Sequence, residues 1–280
     1  MLRSIFAGAI ALLALMPAAR AEDAAPQSRL DAILAAGVLK VSSTGDYKPF
    51  TFKDPSTGDF SGFQSLGFDD HIKLFFPDPE TGILTVPEPG TPPGSGPKPV
   101  MRDYTPRRFD GQTLDIEFAL HDAGPATAWA LNAKVGDILN IGGPRGSMLI
   151  PLAYDSYVLI GDDTALPAIA RRLEELPSGT KVCVVAEVDG LEDRLRFETK
   201  ADVSVHWVYR QAGYANCLNE ALKAMHMPQG DVHVWVACES TQAKLIRQQL
   251  IDDHGVNPQW IKASGYWRKG DAGAHDSIGD

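Results

Sequence analysis

The sequence predicts two domains of different class: one of short β-strands, followed by an α/β domain built on a parallel sheet. Three observations carry that prediction. Leu114 to Leu120 alternates apolar and polar residues as a half-buried strand does, and Leu139 and Ile141 precede a Gly-Gly-Pro turn as another short strand. From Tyr157 onward, apolar strand-like runs alternate with helical segments, the pattern of a parallel sheet with covering helices. The length of 280 residues suits two domains, and 44% hydrophobic with 22% charged residues is ordinary for a soluble globular chain.

Residues 1–21 have the layout of a secretory signal. Arg3 precedes an apolar run from Ile5 to Met16, and Ala19-Arg20-Ala21 offers a small-residue cleavage site before Glu22. The run is too short to span a bilayer and no other segment is long and apolar enough, so no stable membrane insertion is expected. Ser28 to Val41 predicts a short helix, a stop at Gly37 and a strand. Leu39 to Ser42 and Phe50 to Lys53 can pair as a hairpin, with Thr44-Gly45-Asp46 as the turn. Together with Gly58 to Phe63, this stretch resembles the start of periplasmic solute-binding proteins of the cyclohexadienyl dehydratase type. The long two-lobed body which that resemblance implies does not follow. Residues 22–66 therefore either supply the first strands of the domain that follows or leave its sheet open, with an exposed edge.

The first domain is expected over 67–153. Its strand around Lys73 is separated from the one around Arg102 by a loop, because eight prolines fall in residues 77–99 with Gly90, Gly94 and Gly96. Leu114, Ile116, Phe118 and Leu120 alternate with Asp115, Glu117 and Ala119, a half-buried strand ending at His121. Ala126 to Ala133 predicts one or two helical turns, and Leu139 and Ile141 a short strand before Gly142-Gly143-Pro144.

Arg102-Asp103-Tyr104-Thr105 is the most telling segment. A guanidinium grips a phosphate in a fork, an aromatic ring covers an isoalloxazine, and a hydroxyl bonds the polar edge of a flavin. His121 to Trp129 then passes through Gly124 into a helix start, where backbone N–H groups and the helix dipole attract a pyrophosphate. Gly142-Gly143-Pro144-Arg145-Gly146-Ser147 completes a set of three elements within about fifty residues.

The α/β domain is expected over 154–270, with a tail over 271–280. Tyr157 to Ile160, Lys181 to Val185, Val203 to Val208, Val232 to Ala237 and Gln259 to Ala263 read as strands. Leu166 to Leu176, Ser240 to Asp253 and a shorter stretch near Cys217 to Met225 read as helices. Gly161-Asp162-Asp163-Thr164-Ala165-Leu166-Pro167 follows the first strand, where such a sheet binds a nucleotide. It carries one glycine, and Asp163 or Thr164 serves equally as an N-cap. Arg210, after the third strand, suits either an adenosine phosphate or plain solvent, so NADPH and NADH stay open.

From about Gly67 to Gly270 the chain resembles the siderophore-interacting family of FAD-binding flavoproteins, of the ferredoxin-reductase fold. The resemblance rests on Gly67 to Pro77, Arg102 to Arg107, Gly142 to Ser147, Gly161 to Ile169 and Ser264-Gly265-Tyr266-Trp267-Arg268. It implies an FAD-binding antiparallel β-barrel and an NAD(P)-binding sheet, with electrons passing from NAD(P)H through flavin to the iron of a ferric siderophore. It also implies cofactor contacts from Arg102, Tyr104, Thr105, His121, Gly124, Ala126, Thr127, Gly143, Gly146 and Ser147. On the nicotinamide side the implied contacts are Asp162, Thr164, Ala165, Tyr266 and Trp267. Anionic siderophores would be drawn by basic residues at the flavin edge, Lys73, Arg247 and Arg268. No side chain is expected to act as general acid or base, since the flavin carries the chemistry. Ferredoxin is an alternative electron donor, and a monomer is expected.

Composition sets the limits. A net charge of −10 with no basic block argues against nucleic acid as a partner. Three cysteines, Cys183, Cys217 and Cys238, cannot all pair, and no Cys-x-x-Cys or His cluster suggests a metal. An odd count without a framework suits a reducing compartment. The leader predicts export, whereas the family is cytoplasmic, so location stays open. Two other readings are a periplasmic small-molecule binding module and a fusion with impaired flavin binding.

Overall fold

The computed structural model describes residues 39–41, 60, 62–87, 96–120, 124–144, 146–210 and 217–279. The expected leader, Phe50 to Lys53, His121 and Arg145 lie outside them. No described helix is long and apolar enough to cross a membrane.

Among the described residues the first domain has two three-stranded antiparallel sheets. One has the order β1-β5-β4, formed by Leu39–Val41, Leu114–Ile116 and Arg108–Phe109. The other has the order β3-β2-β6, from Val100–Tyr104, Ile72–Phe76 and Asn140–Gly142. Ile72, Leu74 and Phe76 of β2 meet Leu114 and Ile116 of β5, Ile141 of β6 and the preceding Leu139 in one core. Phe60, Phe63 and Phe109 close its end, edge to face at 4.7–6.0 Å. Each of these buried side chains is worth roughly 1.5–3 kcal/mol of transfer free energy.

Within the segment with the solute-binding resemblance, β1 pairs with β5, Leu39 opposite Ile116 and Val41 opposite Leu114. That segment therefore contributes a strand to the first domain. The strand expected through Leu120 stops its ladder at Ile116. Beyond it, Glu117 reaches Arg107 at 3.1 Å and Phe118 turns to Tyr104, so side-chain partners replace ladder bonds.

The second domain has a six-stranded sheet of order β12-β11-β10-β7-β8-β9. Its strands are β7 Ser156–Gly161, β8 Lys181–Val188, β9 Asp202–Tyr209, β10 Val232–Glu239, β11 Ile261–Trp267 and β12 Asp276–Ile278. All but β12 pair in parallel. The near-continuous apolar runs are explained by burial of both faces. Tyr157, Leu159, Val182, Val184 and Trp235 face one core, with Leu166–Glu175 (α2) over it. Val158, Ile160, Val234 and Val236 face the other, beneath Cys217–Lys223 (α3) and Ser240–Asp252 (α4).

Two details depart from the sequence reading. Gln259 lies in a 3₁₀ turn, where Asn257 accepts from its N–H at 3.0 Å, so β11 starts at Ile261 and runs to Trp267. The segment expected as a tail contains β12, paired antiparallel with Ala263 to Gly265.

Arg171 of α2, only 9% exposed, fastens the two domains. Its guanidinium donates to Ser65 Oγ at 2.8 Å, Pro106 O at 2.9 Å and Ser65 O at 2.7 Å, while Nε meets Glu175 at 2.7 Å. Arg172 lies over the rings of Phe68 and Tyr157 at 5.0 and 5.2 Å, and Arg107 forks onto Glu174.

Candidate functional site at the barrel and sheet edges

Alternation along β3 sends Arg102 and Tyr104 to one side of the strand, opposite Leu74 and Ile72 of β2. Tyr104 packs on Phe118 at 4.5 Å, and Phe118 stacks on Trp129 at 6.1 Å. Trp129 belongs to the helix Pro125–Asn132 (α1), so this row of rings ties α1 to the Arg-x-Tyr-Thr strand. Burial pushes the Tyr104 phenol above its ordinary range, keeping it protonated.

Gly124 stands at the start of α1 with φ +138°, a conformation that favours glycine. No described side chain caps that start and its first turn holds no acid. The backbone donors of Ala126 and Thr127 thus open a helix terminus suited to an anion. Arg102 Nη1 donates to Met101 O at 2.8 Å, and the chain at Gly273 runs beside the guanidinium.

Thr105 is buried and hydrogen-bonded to Tyr266, whose hydroxyl donates to Asp69 Oδ1 at 2.5 Å. Lys262 pairs with the other oxygen of Asp69 at 3.0 Å. Burial, reinforced by Asp69, holds the Tyr266 phenol well above the usual range. Ser147 donates to Asp70 Oδ2 at 2.6 Å, an oxygen that also accepts from Ser65 Oγ at 2.9 Å and Gly67 N at 3.0 Å. A Cβ on Gly67 would meet Asp70 Oδ1 at 2.8 Å and Met148 O at 2.9 Å, which explains that glycine. Gly143 adopts φ +92°, and Gly146 is exposed just beyond it.

The α/β half of the site lies at the carboxyl ends of β7 and β10, where the strand order reverses, the place where open α/β sheets bind ligands. A Cβ on Gly161 would lie 2.5 Å from Ala165 Cβ and 2.8 Å from Ala237 O, so only glycine lets the next turn pack this close. Asp162, 1% exposed, accepts from Thr164 N at 3.0 Å and Thr164 Oγ at 2.5 Å through Oδ1, and from Trp267 Nε1 at 2.8 Å through Oδ2. Burial first, then neighbouring Asp163, push its carboxyl up to about 6. The N–H of Thr164, the donor that an incoming phosphate would use, is already taken by this carboxylate. Trp267 O in turn accepts from Ser240 Oγ at 3.0 Å.

The basic candidates are placed apart. Lys73 pairs with Asp103 directly across the strands, at 2.5 and 2.7 Å. Arg268 bonds Asp276 at 2.6 Å and Asp271 at 3.3 Å, and Arg247 packs along Gly279 of the tail. Glu239 caps α4, accepting from Thr241 N at 2.7 Å and Gln242 N at 3.0 Å. Among the described residues no group of His, Cys, Asp and Glu could hold a metal.

Sequence reasoning did not single out Asp69, His71, Lys262 and His275. The rings of His71 and His275 lie 4.8 Å apart, and His275 also approaches Tyr266 at 6.0 Å. Burial, then His71, lowers the pKa of His275. Neither histidine belongs to a periodic pattern. They meet because β11 and β12 carry the tail back over the barrel.

Comparison with known proteins agrees with this geometry. Residues 50–148 match the family described as the siderophore-interacting FAD-binding domain, and residues 154–270 match the siderophore-interacting protein family. The first match begins ahead of Gly67 and takes in Phe50 to Leu66. The chain is 35% identical over 216 residues to the NADPH-dependent ferric-chelate reductase of Escherichia coli, covering 74% of this chain and 82% of that protein. It is 32% identical over 241 residues to the ferric vibriobactin reductase ViuB of Vibrio cholerae, covering 83% and 84%. A solved siderophore utilization protein from T. fusca superposes with a TM-score of 0.71 at 36% identity, over 86% of this chain and 95% of that one. With both domains matched in order and the two half-sites meeting at Tyr266 and Trp267, the chain belongs to the siderophore-interacting protein family.

Proposed function

We propose that the protein is an FAD-dependent oxidoreductase that takes electrons from NAD(P)H and delivers them to ferric iron held by a siderophore. One molecule of NAD(P)H reduces two Fe(III) to Fe(II), leaving NAD(P)⁺ and a proton. Fe(II) is held far less tightly by hard oxygen ligands, so reduction releases the metal. The observation that carries the reading is the uncapped start of α1, joined through Trp129, Phe118 and Tyr104 to Arg102. That arrangement presents a guanidinium, a ring and helix-terminal donors that no described side chain caps, the chemistry that FAD requires.

Arg102 with the α1 start at Gly124, Ala126 and Thr127 would hold the pyrophosphate, and Tyr104 the ring system. Conversion of a two-electron donor into one-electron steps is what bound FAD supplies. Asp162 is an acceptor rather than an anion site, and with Thr164, Ala165 and Trp267 it suits the carboxamide end of a nicotinamide. Tyr266, held by Thr105 and Asp69, fixes the spacing between the barrel and the sheet. Ser147 and Gly143 support the loop that frames this space. Lys73, Arg247 and Arg268 are the proposed attractors of an anionic chelate. NAD(P)H is preferred over ferredoxin as donor because the switch-point crevice is a nucleotide site. The reading includes a monomer, a barrel over 67–153 and a nucleotide domain over 154–270.

The visible spectrum of the purified chain lacking residues 1–21 tests this reading. A yellow protein with stoichiometric FAD is expected, bleached by NADH or NADPH and recoloured by a ferric chelate as a chromogenic Fe(II) trap develops. A colourless, soluble protein that takes up no added FAD would sink it.

A further inference from the structure

We infer that the nucleotide crevice selects a donor with a free adenosine 2′-hydroxyl, NADH, and disfavours the 2′-phosphate of NADPH. The inference rests on the reading that the crevice takes a nicotinamide nucleotide, and it concerns the far end of that ligand.

In parallel dinucleotide-binding sheets, an acidic residue at the end of the second strand receives the ribose hydroxyls of NAD. An arginine nearby accommodates the 2′-phosphate of NADP. This chain has both residue types in those places. Glu187, 6% exposed, stands near the end of β8, the second strand of the parallel series. Arg210 follows β9, its backbone N–H fixed to Val188 O at 2.9 Å.

The guanidinium already gives four of its five N–H groups to carboxylates. Nε meets Glu187 Oε1 at 3.1 Å, Nη1 and Nη2 meet Asp163 at 3.3 Å each, and Nη1 also bonds Asp189. Three carboxylates against one guanidinium leave this corner negative before any ligand arrives. A 2′-phosphate would have to draw Arg210 away from them and leave Glu187 buried without its partner, an expensive exchange. A ribose diol instead donates to carboxylate oxygens and leaves the ion pairs standing. Arg194 lies over the ring of Tyr209 at 5.0 Å. Tyr209 precedes Arg210, so by strand alternation it points to the other face.

The test is calorimetric binding of NAD⁺, NADP⁺, 5′-AMP and 2′,5′-ADP to the FAD-loaded full chain, none of which turns the enzyme over. NAD⁺ should bind about tenfold or more tightly than NADP⁺, and 2′,5′-ADP no better than 5′-AMP. Freeing the guanidinium by Glu187→Gln with Asp163→Asn should move the NADP⁺/NAD⁺ ratio roughly tenfold toward NADP⁺, while Arg210→Gln alone should change NADP⁺ affinity by less than about twofold. NADP⁺ binding as tight as NAD⁺, or NADP⁺ affinity lost on Arg210→Gln or Arg194→Gln, overturns the inference alone. A chain that holds FAD but binds neither nucleotide overturns the nucleotide reading and this inference together.

Discussion

At the scale of single residues, charge and burial decide what each group can do. Arg102 offers a planar fork, whereas a lysine offers one rotating ammonium. Arg102→Ala should weaken FAD binding by roughly 10–100-fold, the worth of about 1.5–3 kcal/mol for hydrogen bonds to a charged group. Arg102→Lys should recover only part of it, as read by quenching of flavin fluorescence during titration. Asp162 and His233 show burial acting in opposite directions. His233, 5% exposed between Tyr154 and Tyr157, is pushed down to about 4 by burial, then by Arg172 and Lys262. Asp162 is raised to about 6. Raising a carboxyl costs stability as pH climbs from about 4 to about 6, because the folded chain holds that proton more tightly than the unfolded one. Lowering a histidine costs stability as pH falls from 6.5 to about 4, because the unfolded chain then binds more protons. The two slopes oppose each other in nearly the same window. Relative to wild type, His233→Gln should gain thermal stability toward pH 4, and Asp162→Asn toward pH 6 and above. Melting temperatures at half-unit pH intervals would show whether the two difference curves run in opposite directions; parallel curves would contradict one of the two assignments.

At the scale of elements, what the sequence made legible is what local pattern controls. β7, β8 and β10 carry runs buried on both faces, so their apolar composition announces them. α1 was readable from Gly124-Pro125, since proline suits a first helical turn and glycine the residue before it. β12 was not readable. Asp276, Ser277 and Ile278 have no strand signature, and only the open edge of β11 makes them one. The site shows the same division. Arg102, Tyr104 and Gly124 stand within one local motif, while the Tyr266–Asp69 bond joins residues 197 apart in sequence. The Phe118 ring was expected on a strand face and instead bridges Tyr104 to Trp129. α2 carries an element-scale prediction through Arg171. Arg171→Ala leaves the carbonyls of Ser65 and Pro106 without their donor and cuts the strap between the domains. A loss of about 2–4 kcal/mol is expected, visible in urea titration. Separate melting of barrel and sheet should accompany it, with flavin released before the sheet unfolds.

At the scale of the whole molecule, the two domains meet along one seam, and both halves of the site lie on it. Arg171, Arg107 and Arg172 hold the barrel to α2, and Tyr266 and Trp267 reach from β11 to Asp69 and Asp162. The net charge is −10, and two of the three basic candidates are held by local acids, Lys73 by Asp103 and Arg268 by Asp276. Attraction of an anionic chelate then depends on short-range contacts more than on a long-range field, and raising salt from 50 to 300 mM should change its KM by less than about threefold.

β12 has a consequence for how copies of the protein meet. As the outermost strand it covers the N–H and C=O groups that Ala263 to Gly265 would otherwise present. A chain cut before Asp276 would expose that row as a template, and two such chains could join sheet to sheet through it. Three residues thus work as a selvedge, the finished border that keeps a woven cloth from being stitched to the next piece.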